Sequence, residues 1–171
     1  MSCGINHQVG IKSSPEEIYK ALTEIEKLAQ WWTTDTRGSG AKVGDTLEFW
    51  FDGFCQNFNV EELQPGKRVA WKSPKDQGAD EWEDTEVTFD LSTDEKQTFI
   101  QFRHSGWRES TDFQGHCSMR WAVFLLSLKD VLERGKGRPY PYDLEVHHGE
   151  LVGEEMNCET KNGTPYGSKK G

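Results

Sequence analysis

The sequence predicts an α+β domain: an antiparallel sheet, two short helices and one long C-terminal helix. Three observations carry this. Between Asp45 and His104, apolar residues recur at every second position between turn dipeptides, the period of strands with one buried face. Ahead of that run, two successive capping signals mark two short helices. After it, Cys117, Trp121, Phe124, Leu125, Leu128, Val131 and Leu132 fall within a stripe roughly 120° wide at about 100° per residue. That stripe has to be buried, and the apolar face of the sheet is the partner it needs.

The elements follow in order. Ile5 to Lys12 is the first strand. In "SSPEE", Ser14 is the cap, Pro15 takes the first helical position and Glu17 closes a capping box. Ile18, Ala21 and Leu22 give this helix its apolar face. Thr23 and Glu26 repeat the spacing and start a second helix, which Leu28, Trp31 and Trp32 end in an aromatic knob. "TRGSGAKVGD" reads as a Gly-rich loop. Leu47, Phe49 and Phe51 alternate with polar neighbours up to Asp52-Gly53, a tight-turn dipeptide. Phe54, Gln56, Phe58 and Val60 form the return strand, and Pro65-Gly66 turns the chain into Lys67 to Lys72. "SPKDQGADEWED" reads as loop, and its acidic run as a solvated edge. Val87, Phe89 and Leu91, then Thr98, Ile100, Phe102 and His104, mark the last two strands. Thr111 with Gln114 can cap the long helix, which Gly135 and Pro139 end.

Residues 1–141 are expected to form the domain, and residues 142–171, polar and weakly patterned, a flexible extension. With 171 residues, a net charge of −9 and 12% aromatic residues, the chain suits a folded acidic domain. Its mean hydropathy is −0.80. Without a basic patch, nucleic acid is not an expected partner. The longest apolar run, Trp121 to Leu126, is too short to span a membrane. "MSCGINHQVG" has no signal-peptide pattern. The four cysteines are scattered, which fits reduced thiols and a cytoplasmic location. His147, His148 and Cys158 match no metal-site spacing, and "TRGSGAKVG" matches no nucleotide fingerprint, so neither metal nor cofactor is expected.

The element order and three motifs, "SSPEEIYKALTEIEKLAQWW", "HSGW" and "WAVFLLSLKDVLERGKGRPYP", resemble the START/Bet v 1-like (SRPBCC) superfamily over about residues 5–141. Within it they look like bacterial relatives of the C-terminal domain of the activator of Hsp90 ATPase. The resemblance implies the helix-grip fold, in which the long helix closes over a curved sheet and leaves a pocket for an apolar small molecule.

By strand and helix phase, Phe49, Phe58, Phe89, Phe102, His104, Cys117, Trp121, Leu125 and Leu128 face that space, with Trp31 and Trp32 at its mouth. At any single position plain core packing is the stronger reading, because interiors fill to close packing. His104 faces the helix and could orient a ligand or act as a base; the alternative is a neutral core histidine bonded to backbone. Cys117 could approach His104 as a nucleophile, or serve as a small buried hydrophobe. The expected role is non-enzymatic binding of an apolar or amphipathic small molecule. The alternatives are a cyclase- or hydrolase-type enzyme in the same pocket, and an Hsp90-associated interaction protein. Met119, Val123 and Leu126 lie on the back of the long helix, opposite the stripe; a second copy is the favoured cover, with a chaperone partner, the "GRPYPYDL" segment folding back, or a modest exposed patch as alternatives.

Overall fold

In the computed structural model, which describes residues 3–146, β1 (Cys3–Ile11) leads into α1 (Pro15–Thr23) and α2 (Ile25–Leu28). There follow β2 (Asp35–Gly38), β3 (Thr46–Phe51), β4 (Phe54–Gln64), β5 (Arg68–Lys72), a 3-10 turn (Asp80–Trp82), β6 (Glu86–Thr93), β7 (Thr98–Trp107) and α3 (Asp112–Arg134). The seven strands make one antiparallel sheet in the order β1-β7-β6-β5-β4-β3-β2. This is the helix-grip arrangement, with α3 closing one face.

Local chemistry accounts for most of the boundaries. Ser14 Oγ accepts from the Glu17 amide and Pro15 opens α1, so the first capping signal holds. Asp52 and Gly53 both take positive φ, 50° and 88°, which lets a two-residue turn join β3 to β4. Thr111 caps α3 by accepting from the Gln114 amide, and Gly135 ends the helix at φ 85°.

Three expectations are corrected. Thr23 does not cap α2; its hydroxyl donates back to the Tyr19 carbonyl at 2.8 Å, and α2 starts from Glu24 without a side-chain cap. The Gly-rich loop opens with a strand, β2, in which Thr36 alone is buried. Such a strand has no apolar period to read; pairing with β3 recruits it. The acidic stretch is not wholly solvated. Its 3-10 turn buries Trp82, and Ala79 is buried beside it, its amide donating to Gln56 Oε1.

Beyond α3 the chain folds back. The Tyr140 amide donates to the Trp32 carbonyl at 2.7 Å, and the Thr34 amide to the Tyr140 carbonyl at 3.1 Å. The Tyr140 ring packs edge-on against Phe51, and the Tyr140–Pro141 peptide is cis. Asp143, placed by the sequence at the start of the flexible extension, is instead buried against Arg120. Residues 147–171, with His147, His148 and Cys158, lie outside the described residues. Among the described residues no helix is long and apolar enough to cross a membrane.

Candidate binding site between the sheet and the long helix

The sheet's inner face and the α3 stripe meet as expected: Phe49, Phe58, Phe89, Phe102, Cys117, Trp121, Leu125 and Leu128 are all buried in one cluster. Trp31 and Trp32 do not stand at a mouth. Trp31 is fully buried, and its indole N–H donates to the Ala21 carbonyl. Trp32 is 2% exposed and occupies the centre of the grip. Its ring centroid lies 4.0 Å from Phe49, 4.7 Å from Trp121 and 6.0 Å from Trp71, to which it is nearly parallel. The short helix α2 is the cause: it ends at Leu28, and the following turn drives the paired indoles inward.

With Trp32 there, little space remains. A cavity of about 10 Å³ survives between Trp32, Trp82, Cys117, Arg120, Trp121 and Phe124. That is room for one water at most. A larger hollow of about 620 Å³ lies outside the grip, between Ala29–Gln30 and Gly135–Pro139.

His104 is completely buried, and both ring nitrogens are used. Trp121 Nε1–H donates to Nδ1 at 3.1 Å, and Nε2 lies 2.8 Å from Thr85 Oγ1. Burial pushes the imidazole pKa down to about 3. A neutral ring with both nitrogens bonded has no lone pair to offer a substrate, which fits a core histidine, though its partners are side chains where backbone was expected. Cys117 does not bond His104. Burial pushes its thiol pKa up, against a smaller opposing effect of the Trp82 indole. A thiol in that state is a poor nucleophile.

Sequence reasoning missed two residues of this site. Trp82 lay in a stretch read as loop; a lone tryptophan within an acidic run was the available signal. Arg120 was hidden because it flanks the apolar stripe. In the structure it is 6% exposed, its guanidinium carbon 5.1 Å from the Phe124 ring centroid and its Nη1 3.1 Å from Asp143 Oδ2. Among the described residues no group of three or more His, Cys, Asp and Glu side chains is placed to hold a metal.

The sequence profile of a family described as activator of Hsp90 ATPase homolog 1-like protein matches residues 12–133. No curated protein matches the chain. Among solved structures, the Aha1 dimer from Colwellia psychrerythraea is 50% identical with a TM-score of 0.73, the match covering 79% of this chain and 99% of that one. A protein from Mesorhizobium loti is 21% identical with a TM-score of 0.69, covering 77% and 98%. One from Staphylococcus saprophyticus is 17% identical with a TM-score of 0.66, covering 79% and 95%. These last two show the fold alone.

Proposed function

The chain belongs to the activator of Hsp90 ATPase homolog 1-like family, and from that premise we propose that it binds an apolar or amphipathic small molecule between the sheet and α3 without turning it over. The carrying observation is the small cavity bounded by Trp32, Trp82, Cys117, Arg120, Trp121 and Phe124. Its lining of aromatic rings with a few polar groups is the chemistry of a small-molecule site, while its volume is that of one water. The ligand takes the space of the Trp32 ring, so binding requires that ring to swing out. The closed imidazole of His104 supports binding over catalysis. The binding unit in this reading is residues 1–141, with 142–171 appended and anchored at Asp143, and the free thiols of Cys55 and Cys117 fit a cytoplasmic setting. Native mass spectrometry of gently purified protein tests it: a retained small molecule is expected. A bare polypeptide mass, together with no thermal shift from any apolar probe, would sink the reading.

A second reading has its own support. Met119 and Leu126, on the back of α3, are 57% and 55% exposed, while Ala122 and Val123 between them are half-buried. The half-identical Colwellia relative is a dimer. In this reading two copies pair antiparallel through α3, and the dimer associates with an Hsp90-type chaperone through its outer surface. Chaperone pull-down and stimulation of its ATPase by the wild-type dimer, lost in a monomeric variant, are the expected results; no binding at micromolar concentration removes the reading.

A further inference from the structure

Arg120 and Asp143 form an ion pair that water barely reaches, their side chains 7% and 0% exposed. Arg120 belongs to the wall of the cavity described above. Asp143 does not; it arrives on the segment after α3, whose Tyr140 is hydrogen-bonded to the backbone of Trp32 and Thr34. One strap therefore holds both the backbone of the residue that fills the grip and the carboxylate that neutralises the arginine. The same cavity wall carries another donor. The buried Trp82 indole N–H has no oxygen or nitrogen acceptor among the described residues; the weak sulfur acceptor of Cys117 lies beside it. Trp71, stacked on Trp32, is also buried with its N–H unmatched.

A guanidinium and an acceptor-poor indole N–H on one apolar cavity favour an oxygen ligand that carries negative charge. We propose that the Arg120–Asp143 pair is the closed state of a carboxylate receptor, and that the ligand is an aromatic carboxylic acid. Its carboxylate replaces Asp143 on Arg120, and its ring takes the flat slot of the Trp32 indole between Trp71, Phe49 and Trp121. Asp143 leaves for solvent, and the strap that bonds Trp32 loosens with it, so that release of the pair and opening of the slot are one event. This rests on the small-molecule reading above and adds its chemical class.

Calorimetry on the full chain separates the two, with naphthylacetate as probe and the neutral naphthylethanol as its counterpart. The acid is expected to bind at least about tenfold tighter than the alcohol, as a charge-assisted pair requires. Asp143→Asn removes the competing carboxylate and loosens the strap, so it should tighten the acid by a larger factor than the alcohol. Because Arg120→Leu alone strands a buried carboxylate, it is made together with Asp143→Leu; this double variant should bind both probes equally. Equal affinities in the wild type, or an acid preference that survives the double variant, overturn the carboxylate receptor while the alcohol's binding keeps the small-molecule reading. If neither probe binds the wild type or Asp143→Asn, both fall together.

Discussion

The indole N–H of Trp121 donates to Nδ1 of His104 across 3.1 Å, and that one bond sets the state of the ring. With Nδ1 accepting, the proton sits on Nε2 and donates to Thr85 Oγ1, whose own hydroxyl donates to the Trp82 carbonyl at 2.6 Å. The chain of donors ties α3, β7 and the 3-10 turn around the grip and leaves none of its polar atoms to a substrate.

This ring couples folding to pH. Its pKa is near 3 in the folded protein against 6.5 ordinarily, so between these values the unfolded chain binds the extra proton. Stability from His104 is full above pH 6.5 and is lost as pH falls through that window, by about 1.4 kcal/mol per unit. Denaturant midpoints measured from pH 7 to 4 should show it. His104→Leu should be less stable at pH 7 yet lose one proton's worth of the slope; an unchanged slope would refute the assignment.

Trp32→Ala should empty the centre of the grip. The lost contacts and the cavity left behind cost about 3–5 kcal/mol. The melting temperature should then fall by roughly 10 °C, with wide scatter. An apolar ligand should restore part of it. A drop of only a degree or two would mean that the surrounding rings collapse into the space.

The Arg120–Asp143 pair sets a further expectation. Asp143→Ala strands a charge that water barely reaches and should cost about 3 kcal/mol or more. A chain ending at Val146 keeps the pair and should melt above one ending at Tyr142, contrary to the sequence-based expectation that nothing after residue 142 matters to the fold. Equal melting temperatures for the two would show that the pair is neutral.

The back of α3 gives a test of assembly. Met119→Lys with Leu126→Lys sets like charges on both copies and should leave the stability of the monomer within about 1 kcal/mol of wild type. Sedimentation should shift from dimer to monomer. Wild type that already sediments as a monomer at micromolar concentration removes the dimer.

Cys55 and Cys117 should resist alkylation in the native protein, since burial pushes the first thiol up to about 12 and the second up as well. Peptide mapping after a short iodoacetamide pulse at pH 8 is the measurement. Fast labelling of Cys117 would mean that the grip opens readily.

Legible along the chain were the order of the apolar strands and helices, the inward face of each such strand and the caps of α1 and α3. These are local: the alternation of Leu47, Phe49 and Phe51, the Ser14–Pro15–Glu17 spacing and the Thr111 and Gly135 ends each act over a few residues. The sequence by itself could not find β2, because Asp35 to Gly38 becomes a strand by bonding to β3 and has no period of its own. Nor could it say whether the grip is open. Strand and helix phase bring Phe49, Phe58, Phe102, His104 and Trp121 to one space but are silent on what fills it. Only the tertiary structure decided that, when the turn after α2 carried Trp32 inward, the 3-10 turn brought Trp82, and the strap set Asp143 on Arg120. Each is a contact between segments far apart in sequence, and close packing of whole volumes, rather than any pattern along the chain, selects it.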